Sequence, residues 1–373
     1  MGQSQNSLPV DSAGGHKTVG RRARHVPRSG SVEIPAPIEQ AVSDLVARRL
    51  EAELGDRGLL LAADEFALAE VGAAQCGARL LTSLIHRCYP ITRQTGGEVA
   101  LDFGSERGAA RPQATLAFGA TTARVLQPDL CNPDIELVCA IFNLGIGLVD
   151  GLCDEDAETG DALLKLVQAQ DLADAVEQPR VRGWLRATLL PALAVDPAAA
   201  FTADVIETFF ETLHDVYPHH AWRLRVGVQL VAALEAERAS VTQSADTARD
   251  QMIECSRLTS VLPFQIIETL ADAEHARAEP TAGTQLGEAM WRIDDLVDLC
   301  QDARSGSLNG VLLCAGGHDV VTALERLLAS TDIARAAREA ADDLQAGLRR
   351  SDDPTPFLYF VQRYAGITPR RTS

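Results

Sequence analysis

Apolar residues recur at helical spacing along almost the whole of this chain, and alternating β patterns are nearly absent. Ile38, Val42, Leu45, Val46 and Leu50 begin the series, with Gly55 as a stop. A second run spans about 59–88 and ends before Tyr89-Pro90. Residues 91–113 carry Gly96-Gly97, Gly104, Gly108 and Pro112 and read as a loop, with a short strand near 99–103. Helical patterns follow at about 133–153, 160–175, 180–193, 202–216, 220–240, 246–275, 284–303, 308–329, 332–349 and 355–365. Residues 1–35 are rich in Gly, Ser and Pro, with Arg21, Arg22, Arg24 and Arg28 clustered, and read as a disordered tail. No apolar run follows that cluster, so no secretory signal is read there. The expectation is one all-α domain over 36–373, of ten or more helices.

Composition narrows the function classes. Hydrophobic residues make up 46% of the 373, enough for a sizeable core. No segment approaches the ~20 apolar residues of a membrane span, so no integral membrane association is expected. Against 52 acids stand 34 bases, a net charge of -18 that repels nucleic acid and anionic membranes. The eight cysteines form no CxxC pair, which fits reduced thiols in a cytoplasmic protein. Lys17 and Lys165 are the only lysines. This Arg-over-Lys and Ala-rich bias suggests a bacterial source with a GC-rich genome.

Two carboxylate stripes carry the chemistry. Asp294, Asp298 and Asp302 stand at i, i+4 and i+8, one face of a helix whose other faces hold Ile293, Leu296, Val297 and Leu299. Like charges stacked this way repel, and a bound divalent cation would relieve them. Asp150 and Asp154 form a second pair at the end of an apolar helix, where negative charge opposes the helix dipole. Facing stripes would make a mouth of carboxylates above an apolar cavity. Magnesium prefers one or two carboxylates plus phosphate oxygens, so such a mouth suits a diphosphate with an apolar tail. The bland alternative is a pair of solvated helix faces.

These residues resemble the class I isoprenoid synthases, the all-α superfamily of terpene synthases and trans-prenyltransferases. Asp150-Gly-Leu-Cys-Asp154 resembles the first aspartate-rich motif, with Gly151 where a second Asp is usual. The segment 294–302 resembles the second metal motif of terpene synthases, in which the first, fifth and ninth positions chelate magnesium. Gly306 and Asn309 look like the Gly and Asn trailing that motif. Gln301 departs from it, standing where a basic residue is common. Asp298, Asp302, Ala303, Arg304 and Gly306 are also similar to the second motif of squalene and phytoene synthases. Cys255-Ser-Arg257 through Glu268 resembles the broken helix bearing the diphosphate-sensing Arg; Arg257 matches best, Arg249 is a substitute, and Pro263 would interrupt the helix. Gln362-Arg363-Tyr364 resembles the Arg-Tyr pair that closes over the diphosphate.

The resemblance implies a helical bundle with a central apolar cavity. It implies magnesium, three ions bound with a prenyl diphosphate substrate, held by Asp150, Asp154, Asp294, Asp298 and Asp302. Arg257, Arg304, Asn309, Arg363 and Tyr364 would contact the diphosphate, and a homodimer is a family-level expectation. Terpene cyclisation is the leading activity. Chain elongation typically uses lysines, none of which lies near a motif here; Gly77-Ala78-Arg79 only faintly echoes that site. Head-to-head joining of two allylic diphosphates is a further alternative. Phe142, Trp291, Phe264, Phe209, Phe210, Tyr217, Phe357 and Phe360 are candidates to line the cavity, or else packed core. A rival iron-binding reading rests on Glu211-x-x-His214 and Asp272-x-x-His275 and lacks the second Glu-x-x-His that di-iron bundles use. His214-Asp215 also suggests a metal phosphohydrolase. The last alternative is a non-catalytic helical interaction protein.

Overall fold

Helix α1 (Ala36–Asp56) starts with Pro37 in its first turn, where a missing N–H costs nothing, and buries Val42, Val46, Leu50 and Leu54 along one stripe. The same logic builds the rest of the chain. The computed structural model describes residues 32–94, 106–155, 197–217, 220–241, 248–272, 281–316 and 319–369. Every regular element among them is a helix, so the all-α expectation holds for the described residues. In chain order they continue as α2 (Ala63–Gln94), α3 (Glu106–Leu126), α4 (Pro133–Glu155), α5 (Pro197–Val216), α6 (His220–Val241) and α7 (Arg249–Ala271). Then follow α8 (Thr281–Val297), α9 (Leu299–Ser305), α10 (Gly310–Ala315), α11 (Val320–Ala329), α12 (Asp332–Leu348) and α13 (Thr355–Tyr364). None is long and apolar enough to cross a membrane.

Several boundaries differ from expectation. The supposed loop at 91–113 is helical at both ends: α2 runs through Pro90 to Gln94, and α3 begins at Glu106 and continues through Pro112. Proline removes one backbone bond from each, and burial on neighbouring helices outweighs that loss. Thr115, Leu116, Ala117, Ala120 and Thr122 on α3 are buried. The break expected at Pro263 is absent, because α7 is continuous across it. The single helix expected at 308–329 is two, divided at Gly316, whose φ of 61° suits glycine. The expected tail up to 31, the strand near 99–103 and the helices at 160–175 and 180–193 lie outside the described residues.

Helix α8 is the spine of the C-terminal half, packed between α7 and α12. It lies antiparallel to α7: Gly283 meets Phe264, Gly287 meets Val261, and Trp291 Nε1 donates to Ser256 Oγ at 3.2 Å. A Cβ on Gly287 would lie 2.6 Å from Val261 Cα, so glycine lets the two backbones approach. On its other side α7 supports α3 and α4. One apolar cluster links these layers from Ile34 to Ile367.

Most of the aromatic candidates are packed core. Phe118, Phe264 and Phe357 form a triad with centroids 5.5–6.4 Å apart, and Phe142 meets Phe209 at 5.7 Å. The hydroxyl of Tyr217 donates to the Leu270 carbonyl. Such pairs contribute about 1 kcal/mol each beyond area burial.

Gly287→Ala is expected to lower unfolding stability by about 1–2 kcal/mol, because the atom it would clash with, Val261 Cα, is backbone and the helices must part. Gly145→Ala, whose Cβ would meet only Val205 Cγ1 at 3.9 Å, should instead raise it by up to ~1 kcal/mol through helix propensity. Urea titration of both variants checks the pair.

Candidate functional site

The last turn of α8 carries Asp294 and Asp295 at adjacent positions, and they face different environments. Helix α8 stops at Val297, and Asp298, with φ -92° and ψ 6°, caps the short helix α9. The backbone spiral survives this interruption: Asp298 N–H donates to the Asp294 carbonyl at 2.9 Å, and Asp302 N–H to the Asp298 carbonyl at 2.8 Å. Asp294, Asp298 and Asp302 therefore keep the one-stripe register that their spacing implies. Asp294 and Asp298 are partly exposed, and Asp302 is buried.

Beneath the stripe lies an anchor built by the chain's own reversal. Gly306 ends α9 in the left-handed conformation, φ 70°, and turns the chain back. Asn309 then inserts, fully buried, against the helix it has just left. Its Nδ2 donates to the Asp302 carboxylate at 2.9 Å and to the Asp295 carbonyl at 2.7 Å. Its Oδ1 accepts from Leu312 N–H at 3.1 Å, which caps α10. Asp295, also buried, accepts from Gly310 N–H at 2.9 Å. A Cβ at 310 would sit 2.8 Å from both Asp295 Oδ2 and Trp291 Cζ2, so only glycine closes this corner. Asn309, expected at the ligand, thus serves as a bracket that orients Asp302. Sequence reasoning misses Asp295 and Gly310. The usable signal is that Asp295 shares a helix face with Trp291 and Leu299, so its carboxylate needs a donor from within the protein.

A second partner arrives from the C-terminus. The Tyr364 hydroxyl, on α13, donates to Asp294 Oδ1 across 70 residues of chain. Helix α13 is fixed by Gln362, whose Oε1 accepts from Leu61 N–H at 2.7 Å. Burial first, and the charge of Asp298 second, hold the Asp294 carboxyl well above its ordinary value of 3.8. Tyr364 is pushed up by burial and by Asp294. The stripe is thus a place where negative charge is costly.

The other expected residues are held elsewhere. Arg257 makes a two-pronged pair with Glu254, both bonds 2.7 Å, and a third bond to Glu288. Arg304 pairs with Glu39 on α1. Arg363 pairs with Glu70 at 2.8 Å and donates to the Tyr359 hydroxyl at 2.6 Å. Each arginine proposed to grip phosphate already has carboxylate partners. Arg79 likewise pairs with Glu136 at 2.5 Å. Asp150 is partly exposed on α4, which shares α7 as a neighbour with α8. Asp154 follows on α4, with its side chain outside the described residues. Glu211 and His214 lie on α5, while His275 is outside the described residues.

By donor type the stripe suits a hard, oxygen-seeking cation. Among the described residues no group of three or more His, Cys, Asp or Glu is placed to hold a metal ion. Any ion would take one or two carboxylates here and complete its shell with water or phosphate oxygen, as magnesium does. No family model, no curated protein and no solved structure matches this chain.

Two substitutions separate the bracket from the stripe. Asn309→Ala removes a helix cap and takes one buried donor away from Asp302 and from the Asp295 carbonyl, an expected loss of about 2–4 kcal/mol. Asp298→Asn should do the reverse and stabilise by about 0.5 kcal/mol near pH 7, because it removes a like charge one turn from Asp294. The raised Asp294 value sets the sign. The penalty on folding builds up as pH rises from about 3.8 towards the raised value and is complete above it, so the gain from Asp298→Asn is largest at neutral pH and vanishes well below pH 3.8, where both states are protonated. Denaturant melts from pH 3 to pH 8 test both.

Proposed function

We propose that this chain is a magnesium-dependent, class I terpene synthase-like enzyme that ionises an allylic prenyl diphosphate and forms a terpene with release of diphosphate. The observation that carries the reading is the Tyr364–Asp294 contact. The resemblance assigned the C-terminal Arg-Tyr pair and the second aspartate motif to one mouth, and these two residues meet although far apart in sequence. The raised Asp294 value adds support, since an acid kept costly by its neighbours is a common mark of a functional site.

In this reading Asp294, Asp298 and Asp302 hold magnesium from one wall, and Asp150 with Asp154 from the other. Bound magnesium would withdraw electrons from the diphosphate and so favour its departure. The carbon–oxygen bond breaks, its electron pair leaves with the diphosphate, and an allylic cation remains. Asn309 keeps the Asp302 carboxylate oriented. Tyr364 hydrogen-bonds Asp294 until the substrate arrives and then offers its hydroxyl to phosphate oxygen. Arg257, Arg304 and Arg363 bind the anion by exchanging a carboxylate for phosphate, an exchange open to Arg363 and Arg304 because their side chains are 38% and 40% exposed. Apolar side chains keep water from the cation.

The paired arginines also favour a second reading, a non-catalytic helical protein in which these ion pairs only bind helices together. Product analysis decides between them. The pure protein is incubated with Mg²⁺ and allylic diphosphates of increasing chain length, with and without isopentenyl diphosphate. Hydrocarbons or alcohols formed without isopentenyl diphosphate support the synthase. Elongated diphosphates formed only with it make the chain a prenyltransferase. Asp298→Ala should leave the fold intact and cut turnover by roughly a hundredfold or more, a transition-state loss near 3 kcal/mol. Full turnover in that variant contradicts the metal assignment.

A further inference from the structure

The arginines assigned to phosphate are committed to their present partners to different degrees. Arg257 spends Nε, Nη1 and Nη2 on carboxylates. Arg304 is turned to α1 by Glu39. Arg363, on α13, spends Nη1 alone: that nitrogen donates to Glu70 Oε1 at 2.8 Å and to the Tyr359 hydroxyl at 2.6 Å. Among the described residues its Nε and Nη2 make no hydrogen bond. Arg363 also directly precedes Tyr364, which reaches the stripe at Asp294. It therefore combines unspent donors with a place beside the carboxylates.

The two residues that share Nη1 differ in how firmly they are held. Tyr359 lies one helical turn before Arg363 on α13 and is buried. Its ring packs on Phe66 with centroids 4.9 Å apart and on Phe360 at 5.1 Å. The guanidinium carbon of Arg363 lies 5.8 Å from the centre of the same ring, within cation–π range. Burial pushes the Tyr359 hydroxyl above its ordinary value, so it stays neutral near pH 7. Glu70 comes from another helix, α2, and its side chain is 51% exposed. Such a carboxylate returns to water at little cost, because exposed ion pairs contribute little. A phosphate oxygen offers Nη1 the same kind of acceptor with more charge, and Nη2 can join it in a two-pronged grip. An arriving oxyanion therefore displaces Glu70 and leaves Tyr359 where it is.

We propose that Tyr359 is the positioning residue of Arg363 and that Glu70 is the competitor of its ligand, so that the two partners of one nitrogen act on oxyanion affinity with opposite sign. Tyr359 keeps the guanidinium in place while the Glu70 carboxylate gives way. This deepens the reading of the stripe as a magnesium and diphosphate site, and it rests on that reading.

Calorimetric titration of inorganic diphosphate with Mg²⁺ into the full chain tests it, with circular dichroism and melting temperature as the check on folding. Glu70→Gln should tighten binding by about threefold to tenfold, and Tyr359→Phe, which keeps the packed ring, should weaken it by a similar factor. In an Arg363→Gln background neither substitution should have a further effect, because both act through that guanidinium. Wild-type binding that both variants weaken, or that neither changes, overturns the proposal and leaves the reading of the stripe intact. So does an effect of either variant that persists in Arg363→Gln. If Tyr359→Phe loses its fold, Glu70→Gln decides alone, since unchanged or weaker binding there contradicts a competing carboxylate. A wild-type chain with no Mg²⁺-dependent binding overturns the reading, and the proposal with it.

Discussion

Three carboxylates on one helical stripe oppose each other, and the surrounding structure is organised to hold them in place. Helix α8 cannot bend away, because Gly283 and Gly287 seat it directly on α7 while α12 covers its other side. The chain past α9 cannot drift, because Asn309 is tied at once to Asp302, to the Asp295 carbonyl and to the start of α10. Asp295, the neighbour that turns inward, directs its charge to Gly310 N–H. A fully buried acid and a partly buried one thus sit side by side, each with its own donor: Gly310 N–H for Asp295 and the Tyr364 hydroxyl for Asp294.

Carboxylates kept close against their mutual repulsion lower stability unless they serve a purpose that offsets the cost. The Asp294 carboxyl, raised by burial and by Asp298, registers that cost. The Tyr364 hydroxyl relieves part of it by donating to Asp294, and in doing so links the C-terminal helix to the state of the stripe. A cation brought in with an anionic ligand would relieve more. In that event Tyr364 and the arginines would be released from their present carboxylate partners together.

Much of this is legible in the sequence, for reasons that are physical rather than statistical. The register of 294, 298 and 302 follows from the helical repeat alone, and it persists although the helix is interrupted at Asp298, because the i to i+4 backbone bonds are kept. Helix α3 is hidden because Gly104, Gly108 and Pro112 look like punctuation, and local signals yield to burial of Leu116, Ala117 and Ala120. The continuity of α7 through Pro263 is hidden for the same reason. Asn309 stands out in the sequence but its partners do not, since a chain reversal that returns a residue to its own helix leaves no periodic trace. The ion pairs of Arg257, Arg304 and Arg363 are also invisible, because Glu288, Glu39 and Glu70 lie between 31 and 293 residues away or on helices whose packing the pattern does not specify.

The central claim is that the stripe binds a divalent cation and a diphosphate together. Its most direct test is calorimetric titration of inorganic diphosphate into the full chain, with and without Mg²⁺, alongside Asp298→Asn. The account predicts saturable binding that needs Mg²⁺ and is weakened at least tenfold, about 1.4 kcal/mol, by the substitution. Binding that ignores Mg²⁺ or the substitution, or no binding under any condition, would contradict it.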